Sequence, residues 1–153
     1  MMMKIIENGN IFDTKCQTIV CTVNCMGVWG KGIALECKKR FPKAYQRHRY
    51  FCKQGLIKPG ILYINRDYEK WILCFPTKEH WINPSKPEYL ILGLDKFIDT
   101  WREQGITSIA WPLLGASNGK LNPDYVRDLM NIKLGMLRDK LDIEIYDNSI
   151  RII

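Results

Sequence analysis

The stretch Val23-Asn24-Cys25-Met26-Gly27-Val28-Trp29-Gly30-Lys31-Gly32-Ile33-Ala34 limits the possible folds more than any other part of this chain. It follows an apolar, strand-like run from Thr18 to Val23. It leads into a helical pattern that begins near Ile33 and ends before Pro42. Strand, glycine loop and helix in that order build an anion site. Glycines bring backbone N–H groups close to a ligand, and the helix behind adds its positive end. Gly27, Gly30 and Gly32 taken alone would more often mark a tight turn than a site. Asn24 at the mouth of the loop raises the first reading, because its amide can hydrogen-bond a sugar hydroxyl.

Along the chain, Met3 to Ile6 predicts a short strand and Glu7-Asn8-Gly9-Asn10 the turn after it, with Asn10 facing the strand Thr18 to Asn24. Gly32 and Pro42 bracket one short helix, and Pro42 starts a second that Gly55 ends. Ile61 to Asn65 and Trp71 to Phe75, separated by Arg66-Asp67-Tyr68-Glu69, predict an antiparallel hairpin. After Pro76 comes a polar loop, Thr77-Lys78-Glu79-His80-Trp81. Ser85 and Glu88 have the spacing of a capping box, and Leu90, Ile91, Leu94, Phe97, Ile98 and Trp101 repeat at helical spacing until Gly105. Thr107 to Trp111 reads as a buried strand, and Leu113-Leu114-Gly115-Ala116-Ser117-Asn118-Gly119 as a second glycine loop. Asn122-Pro123 is the N-cap and first residue of a helix buried through Val126, Leu129, Met130 and Leu137, and Ile143 to Tyr146 closes the chain as a strand.

Alternating strands and helices predict an α/β fold with a sheet covered on both faces, as a single domain over residues 1–153. Ligands in such sheets sit at the carboxyl ends of strands, so both glycine loops are expected to line one crevice for a phosphate-bearing ligand. The six cysteines, at 16, 21, 25, 37, 52 and 74, show no C-x-x-C spacing, and two histidines add little to a metal set. Reduced, buried thiols in a cytoplasmic protein fit them best, with no metal and no cofactor expected. No signal sequence or membrane-length apolar run is visible.

The net charge is +7. Lys31, Lys38, Lys39, Arg40, Lys43, Arg47, Arg49, Lys53 and Lys58 stand against the single acid Glu36 in that interval. This basic face beside the glycine loop is either a solvated helix surface or a landing surface for a polyanion.

Asn24 to Ala34, the basic helix to Arg40-Phe41-Pro42, the Phe75-Pro76-Thr77-Lys78-Glu79-His80-Trp81 segment and Trp111-Pro112-Leu113-Leu114-Gly115 together resemble a macrodomain over nearly the whole chain. The likeness is greatest to the branch containing the DarG antitoxins and the terminal ADP-ribose glycohydrolase. It implies a three-layer α/β/α fold around a mixed, mostly parallel sheet, with a cleft for ADP-ribose. Gly30, Lys31, Gly32 and Ile33 would wrap one side of the diphosphate. Pro112, Leu114, Gly115, Ala116, Ser117, Asn118 and Gly119 would form the other. Asn24 would bind the distal ribose, and Tyr146 would pack near the adenine or proximal ribose. Asn10, followed by Ile11, stands where many macrodomains place an adenine-binding aspartate.

The resemblance also implies that Lys78 carries the chemistry, by attacking the distal anomeric carbon or polarising the bond to it. An amine beside a ring-opening sugar forms a Schiff base if burial or cationic neighbours free its lone pair, and Lys31 would contribute. The second loop has no acid in Ser117-Asn118-Gly119-Lys120. That departure from the glycohydrolase points to the DarG-like subgroup, whose substrate is thymidine-linked ADP-ribose on single-stranded DNA. Glu79 and His80 are then candidate proton shuttles. The Lys38–Lys58 face would meet the DNA, Trp81 would either stack on a base or cover the core edge, and a DNA-modifying toxin is an implied partner. Two alternatives stand beside de-ADP-ribosylation. One is ADP-ribose 1″-phosphate phosphatase, whose yeast-type members share the Asn-Cys-x-Gly-x-Trp-Gly pattern, and the other is a non-catalytic ADP-ribose reader.

Overall fold

The computed structural model describes residues 2–149. The chain runs β1 (Met3–Glu7), a 3-10 turn (Ile11–Asp13), β2 (Thr18–Asn24), α1 (Gly32–Arg40), α2 (Pro42–Lys53), β3 (Tyr63–Asn65), β4 (Trp71–Lys78), α3 (Pro87–Thr100), β5 (Ser108–Pro112), α4 (Pro123–Gly135) and β6 (Asp142–Asp147). One sheet holds six strands in the order β1-β6-β5-β2-β4-β3. Among the described residues only the β3–β4 pair is antiparallel. The fold is thus the expected mixed, mostly parallel α/β arrangement.

Near-continuous apolar runs such as Thr18–Asn24 suit strands that are buried on both faces. One face packs Val20, Phe75, Ile109, Trp111 and Ile145 against α3 and α4. Trp111 is its centre, with the Phe97 ring edge-on at 4.9 Å and Phe75 at 5.8 Å. The other face packs Ile19, Cys21, Ile72, Cys74 and Ala110 against Ala34, Cys37 and Ala44 of α1 and α2. Cys16, Cys21, Cys37 and Cys74 are buried, and all six cysteines are free thiols.

Four local expectations change. β4 does not end at Phe75 but continues through Pro76, Thr77 and Lys78. Pro76 lies opposite Val23 beside a register shift after which Asn24 faces Lys78, so Thr77 is the extra residue of a bulge. β3 starts at Tyr63, because Ile61 N–H donates to the Lys58 carbonyl (3.0 Å) and holds the chain in its turn. Ser85 is no cap. Pro87 opens α3 after Lys86, and Ser85 is buried under the second glycine loop with its N–H donating to the Gly119 carbonyl at 2.9 Å. Leu137 is buried but lies beyond the end of α4, and Leu129 is only half-buried. Asn122 caps α4 as expected, its side chain accepting from Asp124 N–H at 2.8 Å and Tyr125 N–H at 3.4 Å.

Candidate functional site

All five mutually parallel strands end on one edge of the sheet, and the singled-out residues gather there. Across the order β6-β5-β2-β4, Pro112, Asn24 and Lys78 are the strand ends, and Tyr146, one residue short of the end of β6, lies level with Pro112. At about 4.8 Å per strand, that row is roughly 15 Å long.

Asn24 is buried, and most of its amide serves the loop that follows it. Its Oδ1 accepts from the N–H of Met26 (3.0 Å) and of Val28 (3.2 Å), and its Nδ2 donates to the Val28 carbonyl (2.7 Å). One Nδ2–H remains for a ligand. Trp29 anchors the same loop, 1% exposed, against the rings of Tyr45 and His48, both 5.4 Å away. His48, fully buried and stacked on Tyr63, donates from Nε2 to the Asn24 carbonyl at 2.9 Å. Burial lowers its pKa, against the opposing pull of that carbonyl, so the ring is neutral with Nδ1 bare. The importance of His48 was not visible beforehand. The available signal is its place four residues after Ala44 on the buried stripe of α2.

Lys31 precedes α1 without making a side-chain cap, so the first N–H groups of α1 are left for a ligand. Gly32 has φ +57, and a Cβ there would lie 2.8 Å from Asn118 Nδ2. The two glycine loops therefore face each other across one crevice. In the second loop the Leu121 N–H donates to the Gly115 carbonyl (2.9 Å) and the Lys120 N–H to that of Ser117 (3.2 Å). A Cβ on Gly119 would stand 2.5 Å from the Gly115 oxygen. Ser117 and Asn118 are exposed, whereas Leu114 is wholly buried, so Leu114 can reach a ligand only through its main chain.

Lys78 stands beside Asn24 in the β2–β4 register, its Nζ 3.3 Å from the Trp81 carbonyl. Partial burial, then the ammonium groups of Lys120 and Lys31, hold its pKa below the usual lysine range. Lys31 was expected in this role, but Lys120 was not. Burial, with help from Cys52 and Glu79, pushes the nearby Cys25 thiol up to about 12, so it stays protonated. Cys25 N–H donates to the Glu79 carbonyl at 3.0 Å, tying the first loop to the segment after β4. Glu79 accepts from the Tyr89 hydroxyl (2.8 Å), and His80 Nδ1 accepts from Ile82 N–H (3.2 Å). Trp81 is 51% exposed, and so does not cover the core edge.

At the far end, Asn10 is exposed and caps the 3-10 turn, accepting from Phe12 N–H at 3.0 Å, while Ile11 is buried. Tyr146 lies beneath this turn. Gly9 packs on its ring, and its hydroxyl donates to Glu144 at 3.0 Å. Among the described residues no group of three or more His, Cys, Asp or Glu could hold a metal ion, and no helix is long and apolar enough to cross a membrane.

The model of the Macro domain family matches residues 20–130. This chain belongs to the macrodomain family. It is 38% identical over 146 residues to the DNA ADP-ribosyl glycohydrolase of Mycobacterium tuberculosis, covering 93% of this macrodomain and 41% of that protein. It therefore spans about two fifths of the length of the curated relatives it matches. The macrodomain of Mycobacterium tuberculosis DarG superposes with a TM-score of 0.88 and 37% identity, over 97% of this chain and 99% of that one. Thermosipho africanus DarTG, in complex with ADP-ribose, gives 0.89 and 30% identity, over 98% and 43%.

Proposed function

We propose that this macrodomain removes ADP-ribose from a modified macromolecule, and that the substrate is thymidine-linked ADP-ribose on single-stranded DNA. The observation that carries the reading is the pairing of Lys78 with Asn24 at one end of a crevice lined along its middle by backbone amides. The free N–H groups behind Lys31, with Gly30, Gly32 and Ile33, take one side of the diphosphate. The main chain from Pro112 through Leu114 and Gly115 to Gly119 takes the other, with Ala116, Ser117 and Asn118 at its tip. Asn10, Ile11 and Tyr146 lie where the adenine end falls, with Tyr146 three strands from Lys78. The remaining Nδ2–H of Asn24 holds the distal ribose.

With its pKa depressed, a fraction of Lys78 is the free amine. Its Nζ attacks the distal anomeric carbon as the bond to the thymine nitrogen breaks and the base leaves with the bonding pair. A proton from water neutralises the base. The glycosylamine loses a proton to water and ring-opens to a Schiff base, and a water molecule hydrolyses it to ADP-ribose and free Lys78. The leaving anion is spread over two carbonyls, which makes a strong acid in the second loop dispensable. The relatives named as DNA ADP-ribosyl glycohydrolases and the basic face from Lys38 to Lys58 support DNA as the acceptor. The expected toxin partner is the transferase that writes the modification.

The test is release of ADP-ribose from a thymidine-modified single-stranded oligonucleotide, parent against Lys78→Ala, beside an ADP-ribosylated glutamate peptide and ADP-ribose 1″-phosphate. Release from the oligonucleotide should fall roughly 10³-fold in the variant, about 4 kcal/mol of barrier, with ADP-ribose affinity retained. Phosphate release that survives Lys78→Ala would instead identify a phosphatase. Binding of ADP-ribose with no turnover in the parent would identify a reader. Lys120→Met removes a like charge, so the rise of activity with pH should move to higher pH.

A further inference from the structure

The structure divides the basic face into cations that are used and cations that are free. Arg40 is paired with Glu36 (2.9 Å) and Arg47 with Asp67 (2.8 Å). Lys38, Arg49 and Lys53, with no carboxylate partner among the described residues, line a groove of about 350 Å³ together with Val28, Gly30 and Tyr45. No acidic residue among the described ones lines it. Lys38 Nζ sits 4.7 Å above the Tyr45 ring, and Arg49 and Lys53 are exposed on α2.

This groove adjoins the candidate crevice. Its inner wall is the outer side of the first glycine loop, which rests directly on α2, since a Cβ on Gly27 would lie 3.1 Å from Arg49 Cα. Gly30 belongs to both the groove and the crevice. Between them Met26 and Val28 form an apolar sill, 53% and 42% exposed. A chain leaving the Asn24–Lys78 end of the crevice over this sill meets three cations without a carboxylate partner among the described residues.

We infer that the groove binds the sugar–phosphate backbone of the single strand that flanks the modified nucleotide. The inference rests on the hydrolase reading above and adds where the rest of the substrate lies. Three cations without a competing acid match a polyanion. The exposed apolar sill of Met26 and Val28 matches the faces of bases and sugars, which an oligoglutamate chain does not offer.

The test uses Arg49→Gln/Lys53→Gln, two changes at exposed positions that leave the crevice untouched. Binding of an unmodified oligonucleotide of about ten nucleotides is followed by fluorescence anisotropy. Three phosphate contacts to a single strand predict a log–log salt slope of about −2, or roughly 20-fold weaker binding between about 50 and 200 mM salt. With Lys38 alone the slope should shrink to about −0.7, roughly 3-fold over the same range. ADP-ribose affinity and release from a modified mononucleotide should not change. The proposal is overturned by a parent that does not bind the strand, by a variant that keeps the parent's slope, or by an oligoglutamate peptide that displaces the strand as well as a second oligonucleotide does. The two readings fail separately. Strand binding with the predicted slope but no release breaks the hydrolase assignment, and release from the mononucleotide without strand binding breaks the groove.

Discussion

The two glycine loops reach the same crevice by opposite means. In the first, side chains do the holding: Asn24 makes three hydrogen bonds within the loop, Trp29 is sunk between Tyr45 and His48, and His48 grips the Asn24 carbonyl. The helix behind it, α1, has no side-chain cap. In the second loop Gly119 lies against Gly115, Ser85 fills in beneath them, and the helix behind is capped by Asn122. One loop therefore presents unsatisfied N–H groups on a fixed frame, and the other supplies a close-fitting wall. Under the function proposed above, a diphosphate would meet donors that are already in place, which lowers the ordering cost of binding.

The contrast predicts that glycine is indispensable in the second loop and replaceable in part of the first. The largest effect is expected for Gly119→Ala, whose Cβ would stand 2.5 Å from the Gly115 oxygen and 2.7 Å from its Cα. Overpacking of this kind costs about 2–3 kcal/mol, so denaturant midpoints should drop, and ADP-ribose affinity measured by calorimetry should fall with them. Gly30→Ala, whose Cβ would meet only Val28 at 3.8 Å, should change stability by less than about 1 kcal/mol. A comparable loss in both variants would erase the distinction.

His48→Ala comes next, at about 2–3 kcal/mol, because it leaves both a cavity and an unpaired Asn24 carbonyl. His48→Gln keeps a donor and should recover part of the loss. Burial lowers the His48 pKa below its ordinary 6.5, so the native state binds fewer protons than the unfolded chain in that window. Stability should therefore be fully present above pH 6.5 and decline as pH falls toward the folded-state value. Urea midpoints across this range should slope in the parent and lose that part of the slope in His48→Gln.

The smallest effect is expected at Ser85. Its Oγ is buried and has no hydrogen-bond partner, so Ser85→Ala should shift stability by less than about 1 kcal/mol, toward greater stability if at all. Melting curves decide this one, and a large loss would show that the hydroxyl is bonded.

What could be read from the sequence was local. The strand, glycine loop and helix around Asn24, the Asn122-Pro123 cap and the stripe of α3 are each set by neighbours a few residues apart, and each is found as read. The Ser85–Glu88 pair misled because Pro87 takes the first helical position and the second loop draws Ser85 inward. Pro76 looked like a strand terminator, but a bulge carries β4 past it. His48 and Lys120 gain their importance from partners distant in sequence, Asn24 and Lys78; helical spacing from Ala44 marks His48 as buried but not what it holds, and no spacing marks Lys120. The meeting of the two loops, by contrast, followed from a general rule for where α/β sheets hold ligands, and the approach of Gly32 to Asn118 bears it out.

The bulge at Thr77 also makes the site a matter of odd and even. Side chains alternate along a strand, so a residue inserted or removed there exchanges which positions of β4 lie level with β2. With the bulge, Asn24 faces Lys78; were the ladder to continue without it, Asn24 would face Thr77, although the pairing from Thr18 to Val23 would be unchanged. The scaffold and the amine are thus specified separately. Under the function proposed above, a crevice that only grips ADP-ribose and one that also releases it from an acceptor would differ in this fold by one bulge.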